Sequence, residues 1–246
     1  MRRLVINRTC DLARLSSFMT ANAHVSGIER HEATEGHEIS LDRLVMRGVA
    51  EPGLAYTPGA LGAALSHLGL WGRAAREEEI LMIFEDDARL CANFESESAR
   101  LIRALPDEWD ILLLGYNFNA PITLDALPGV TAATVTFGEK HMQENAGLFS
   151  TLERTATLCP LLQGFGLCAY VVSPRGARRL LARCLPLRAQ EYQQRGLERM
   201  VRNVGIDVVT SFHYATLNAH AAFPPLAISP NEKASSSTRR PDSAPV

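Results

Sequence analysis

Three consecutive carboxylates, Glu85, Asp86 and Asp87, follow the unbroken apolar run Ile80–Phe84. A buried strand that ends in three like charges is electrostatically costly unless water, protons or a cation relieve it. Strand alternation sends Glu85 and Asp87 to one side and Asp86 to the other. Paired oxygen ligands suit Mg²⁺ or Mn²⁺, above all where substrate phosphates complete the shell. An exposed acidic turn is the competing reading. Upstream, Ser66 and His67 sit in ALSHLGLW. If the helix that carries them packs over the sheet, His67 reaches the same carboxyl edge, either to organise a site or as a satisfied core histidine. Ser66 lacks a GxSxG context, so it reads as a local backbone contact and not as a hydrolase nucleophile. Asp207, in GIDVV, adds a further carboxylate, with His213 and His220 after it. Cys10, Cys91, Cys159, Cys168 and Cys184 are scattered, odd in number and without a CxxC pair, which disfavours structural zinc and a disulfide framework.

Alternating elements must position these residues. Leu4–Asn7 reads as an opening strand, and Leu12, Leu15, Phe18 and Met19 give Asp11–Ala23 a helical period. A second strand ends near Glu32, ahead of the small and acidic EATEG segment. Pro58 opens a helix whose stripe is Leu61, Leu65, Leu68 and Trp71, with Trp71 in the core. Helix Phe94–Leu105, strand Asp110–Leu114 and strand Val130–Phe137 follow the acidic triplet, and Gly138–Thr155 reads as an irregular loop. Leu167–Val172 forms a strand, and Ser173 with Pro174 caps a helix through Cys184. Arg188–Arg202 is predicted helical and Ile206–Val209 a strand. The block PPLAISPNEK is a constrained loop whose Asn231 is a weak candidate for a polar ligand contact, and the tail beyond Pro230 is too polar for its own core. The pattern predicts an α/β sheet protein.

Composition narrows the class. The chain has 246 residues, 46% hydrophobic and 21% charged, enough for one large core. A formal charge of -2 disfavours a surface that coats nucleic acid. Lys140 and Lys233 are the only lysines, so anion recognition would rest on arginine forks. No stretch reaches membrane-spanning length free of charge and the N-terminus lacks a convincing signal peptide, so a soluble, cytoplasmic protein is expected.

The segments GALGAALSHLGLW and ILMIFEDDARL, together with VINR, EATEG, WDILLLG, CAYVVSPRGARRLL and GID in that order, resemble glycosyltransferase family 25 over about residues 4 to 230. That family includes bacterial lipooligosaccharide galactosyltransferases and related collagen sugar transferases. The resemblance implies a GT-A-like fold with a mostly parallel central sheet, formed by a single catalytic domain over 1–230 with a flexible tail at 231–246. It implies an inverting transfer of a hexose, galactose foremost, from a UDP-sugar to a saccharide or lipooligosaccharide acceptor, assisted by Mn²⁺ or Mg²⁺. Asp87 is then the leading metal ligand and part of the catalytic machinery, with Glu85 as its partner and Asp86 in the same donor-side motif. Asn7 and Arg8 fall in the N-terminal donor-side segment, although INR here replaces the commoner INL. Ser66 and His67 match the family's Ser-His element, for donor positioning or upkeep of the metal pocket, and Asp207 is the general-base candidate. Work at the inner face of the cytoplasmic membrane is expected, with no secure amphipathic anchor and no assigned oligomeric state. A nucleotide-sugar hydrolase and a non-catalytic nucleotide-sugar sensor are the alternatives.

Overall fold

Burial along the central strands alternates between two helical layers, and that alternation decides which side Glu85 meets. The structure, a computed structural model, describes residues 1–230. The chain opens with β1 (Arg2–Asn7), α1 (Leu12–Ala21), β2 (Ile28–Glu32) and α2 (Leu41–Met46). The long α3 (Pro58–Glu77) leads to β3 (Leu81–Glu85), β4 (Arg89–Leu90) and α4 (Phe94–Ala104). Next come β5 (Ile111–Gly115), β6 (Ile122–Leu127), β7 (Thr131–Val135), α5 (Glu139–Phe149), β8 (Thr157–Gln163) and β9 (Ala169–Val172). Helix α6 (Pro174–Cys184), the hairpin of β10 (Glu191–Gln194) and β11 (Arg199–Arg202), α7 (Ile206–Ser211), β12 (Ala219–Phe223) and β13 (Ala227–Ile228) complete it.

The main sheet runs β2-β1-β3-β9-β5-β12-β8-β6-β7, with β4 and β13 joined at its side. It is mixed, which corrects the expected mostly parallel arrangement. Strands β1, β2 and β3 are parallel, but β9 enters between β3 and β5 antiparallel to both. Local periodicity identifies β9 as a buried strand and carries no information about where it inserts. Leu81 and Ile83 of β3 face one core, shared with Leu61, Leu68 and Trp71 of α3 and with Leu180 of α6. Met82 and Phe84 face the other, shared with Phe18 of α1 and with Phe94 and Leu101 of α4.

The helix start at Pro58 and the cap at Ser173 are present as expected, and Thr57 adds a cap to the first. Thr57 accepts from the Ala60 N–H with Pro58 in the first turn of α3, and Ser173 does the same for Gly176 ahead of α6. Three expected elements are corrected. Gly138–Thr155 holds α5, whose only buried residue is Ala146, so it offers almost no apolar stripe to read. Arg188–Arg202 is a hairpin and not a helix, because Gly196 turns at φ +72° between its strands. Ile206–Val209 is helical: Ile206 and Val209, three apart, both enter the α3-side core, and packing overrides their β-branched preference. The tail expected at 231–246, and Asn231 with it, lie outside the described residues. Among the described residues, no helix is long and apolar enough to cross a membrane.

Candidate active site

Strand β3 ends at Glu85, and the turn that follows it sets the places of Asp86 and Asp87. Glu85 lies on the α3 side, with Oε1 3.3 Å from His67 Nε2. Asp86 lies on the α1 side, where Oδ2 accepts from Asn7 Nδ2 at 2.7 Å and Oδ1 accepts from Arg14 Nε and Nη2 at 2.9 and 2.5 Å. Asp87, in the turn after the strand, accepts from Ser229 Oγ at 2.8 Å through Oδ2, while its buried Oδ1 has no hydrogen-bond partner among the described residues. Burial and then the neighbouring Glu85 push the Asp87 carboxyl up to about 6, and only Ser229 and Arg14, at 4.0 Å, work against them. A cleft of about 310 Å³, lined in part by Arg14, Ser17, Arg89 and Pro230, opens beside Asp86 and Asp87.

His67 occupies the buried face of α3. Its Nδ1 is 2.8 Å from the Tyr170 hydroxyl, which also accepts from Trp71 Nε1 at 2.9 Å. One turn of α3 thus places His67 and Trp71 on the same side, and β9 brings Tyr170 opposite Ile83, on the face that Glu85 shares. Ser66 does different work. Its Oγ donates to Gly62 O at 2.8 Å and accepts from the Thr34 N–H at 2.9 Å, which pins the EATEG segment to the helix. The approach there is so close that a Cβ on Gly62 would stand 2.5 Å from Thr34 O, and one on Gly36 would stand 1.6 Å from Pro58 O.

Asp207 enters from the first turn of α7, where its Oδ2 accepts from the Gly166 N–H at 3.2 Å. Gly166 holds φ +88°, and a Cβ there would lie 2.4 Å from Asn117 Oδ1. Burial and then Glu85 raise the Asp207 carboxyl, against the Gly166 and Val208 N–H groups and His67. Glu85 therefore raises both Asp87 and Asp207, and His67 lies against Glu85 itself. Tyr56 donates to Asn203 Oδ1 at 2.7 Å, and burial, then Asp207, raise its hydroxyl.

Other candidates fall elsewhere. The Asn7 side chain is engaged by Asp86, Asp11 O and Arg30, and Arg8 forks onto Asp11. Neither His213 nor His220 has a carboxylate among the causes that shift it: burial, then Arg183, lowers the first, and burial lowers the second. Tyr170, Arg14, Ser229 and Gly166 are contributors that residue type and spacing alone did not single out, since their partners lie across the sheet. Among the described residues, no group of three or more His, Cys, Asp or Glu side chains is arranged to hold a metal ion. Among the described residues, Asp87 Oδ1 lacks a partner and Glu85 has His67 as its one hydrogen-bonding side chain, so these are the two carboxylates that could hold a divalent cation with further oxygens from a ligand. Asp86 does not fit, as Asn7 and Arg14 already occupy both of its oxygens.

Residues 31–192 match the family model described as glycosyltransferase family 25 (LPS biosynthesis protein). A Homo sapiens protein named "Inactive glycosyltransferase 25 family member 3" is 30% identical over 102 residues, which cover 38% of this chain and 17% of that protein. The chain thus spans less than a fifth of that relative's length. A solved structure described as "Crystal Structure of A197 from STIV" is 14% identical, covering 90% of this chain and 81% of that one, at a TM-score of 0.33 that lends it no weight.

Proposed function

This chain belongs to glycosyltransferase family 25, and on that premise we propose that it transfers a hexose, galactose foremost, from a UDP-sugar to a saccharide or lipooligosaccharide acceptor with inversion at the anomeric carbon. The observation that carries this is Asp87 Oδ1, a buried carboxylate oxygen that has no partner among the described residues, near Glu85 after the end of the central strand. Such an atom is costly unless a proton or a cation meets it. Glu85 and Asp87 would hold Mn²⁺ or Mg²⁺ together with oxygens of the donor diphosphate. When bound, the cation supplies charge neutralisation for the diphosphate and for the UDP that leaves.

The chain's own residues do the rest. Asp207, held by the Gly166 N–H, takes the proton of the acceptor hydroxyl as its oxygen forms the new bond to the anomeric carbon. The bond from that carbon to the phosphate oxygen breaks, and UDP departs with the electron pair. Arg14 and Asn7 hold Asp86, and through it the turn that presents Asp87. Ser66 fixes the Thr34 segment alongside. We assign the mixed sheet to the GT-A-like class on the family alone, and the acceptor is met at the cytoplasmic face of the membrane.

A binding protein without turnover is the second reading, favoured by one observation: the human relative is named inactive. A mass-resolved screen of UDP-, GDP- and CMP-sugars against saccharide acceptors, with Mn²⁺ or Mg²⁺, separates the two. Transfer requires the acceptor to gain one hexose with release of UDP, dependent on the metal. Saturable donor binding with no product across the panel would support the second reading.

A further inference from the structure

Tyr170 is an ionisable side chain near Glu85 to which the reaction above gives no role. It lies fully buried on β9, and among the described residues its hydroxyl has two partners, Trp71 Nε1 and His67 Nδ1. An indole N–H only donates, whereas a phenol has one proton and two lone pairs. Trp71 therefore occupies a lone pair of the Tyr170 oxygen, and the phenolic proton has a single acceptor within reach, His67 Nδ1. A buried hydroxyl proton left without an acceptor would carry the full desolvation cost, which favours this arrangement. With Nδ1 accepting, the imidazole proton resides on Nε2, the atom 3.3 Å from Glu85 Oε1.

We propose that Trp71, Tyr170 and His67 form a directional hydrogen-bond chain that locks His67 as the Nε2–H tautomer, making Tyr170 a positioning residue for Glu85. Each link runs toward the carboxylate: indole to phenol, phenol to imidazole, imidazole to Glu85. One Glu85 oxygen is thereby fixed as an acceptor for a neutral donor, and the other stays available to a cation. The inference rests on the proposed function only in giving Glu85 to the metal. The lock itself depends on the fold. Outer hydrogen bonds of this kind orient metal ligands, and their loss commonly costs about 10- to 100-fold in affinity.

The test is ¹⁵N-histidine NMR of the full chain, with the His67 signals identified by their loss in His67→Gln. The proton of wild-type His67 is expected on Nε2, and Tyr170→Phe is expected to let the ring populate the other tautomer. Trp71→Phe enlarges the packing defect but leaves the phenol donor in place, so it should preserve the Nε2–H form. In parallel, Mn²⁺ affinity measured by water-proton relaxation should fall about 10-fold in Tyr170→Phe. A wild-type proton on Nδ1 overturns the lock without any variant having to fold, and so does an unchanged tautomer in folded Tyr170→Phe. If wild-type protein takes up no Mn²⁺, the metal assignment of Glu85 fails, while the tautomer signals still decide the lock.

Discussion

Arg14 donates through both Nε and Nη2 to Asp86, at 2.9 and 2.5 Å, and approaches Asp87 no closer than 4.0 Å. Adjacent carboxylates are thus handled in opposite ways. Asp86 is neutralised by the Arg14 fork and hydrogen-bonded by Asn7, and Asp87 keeps a buried oxygen that no group among the described residues satisfies. Forked arginine contacts hold geometry as well as charge, so the strand end stays rigid where a ligand would meet it.

The first prediction contrasts these two residues. Asp86→Asn should weaken the fold by about 1–3 kcal/mol, because a partly buried, charge-assisted network loses its anion. Mn²⁺ affinity should change little. Asp87→Asn should raise the metal-free urea midpoint near neutral pH, because it removes the buried charge, and reduce metal-dependent transfer by about 100-fold or more. Equal metal binding by wild type and Asp87→Asn would remove Asp87 from the site.

pH supplies the second prediction. The folded Asp87 carboxyl holds its proton more tightly than the unfolded one, with its value raised from 3.8 to about 6. Below both values each state is protonated and the group has no effect on stability. As pH rises from 3.8 to about 6, the unfolded chain ionises first and metal-free stability falls, by roughly 2–3 kcal/mol in all. Asp207, also raised, contributes with the same sign. Tm of the metal-free protein should therefore decline across that window, and decline less in Asp87→Asn. Mn²⁺ should raise Tm more near neutral pH than at about pH 5, because it binds the ionised pair. A metal-free Tm that rises through the window would contradict the assignment.

The side that Glu85 takes is legible in the sequence, since a strand has period two and the apolar run fixes where it ends. His67 and Trp71 can be placed on one helical face for the same local reason. Tyr170 cannot, because its role exists only once β9 lies antiparallel to β3 with Tyr170 opposite Ile83. That register is set by tertiary packing. Asp207 shows the mixed case: its carboxylate is singled out by residue type, but it stands in the first turn of a helix and not on a strand. Ile206, Val208 and Val209 suggest a strand in isolation, and their burial against α3 and α6 determines the helix.

A third prediction concerns the contact between α3 and the EATEG segment. Ser66→Ala removes the acceptor of the Thr34 N–H and should cost about 1 kcal/mol. Gly62→Ala should cost more, because its Cβ would meet Thr34 O at 2.5 Å and Gly36 N at 2.9 Å, both backbone atoms that cannot swing aside. Chemical denaturation ranks the two. If Gly62→Ala proved the milder, the close packing of this segment on the helix would be wrong.

Asp207 and Gly166 give the last prediction, because one residue holds the other. Asp207→Asn keeps an acceptor for the Gly166 N–H, so the fold should persist with donor binding intact, while transfer falls by about 100-fold with the loss of the base. Gly166→Ala reaches the same carboxylate by another route. At φ +88° the added Cβ would press on Asn117 Oδ1 at 2.4 Å and on the Asn117 backbone nitrogen at 2.8 Å, so the turn must move and its N–H moves with it. Transfer should drop together with about 1–3 kcal/mol of stability. Stability thus separates the variants, and donor affinity, read by UDP titration, should be spared in both. Wild-type turnover in Asp207→Asn would assign the proton to another acceptor, and the effect of Gly166→Ala would then be one of stability alone.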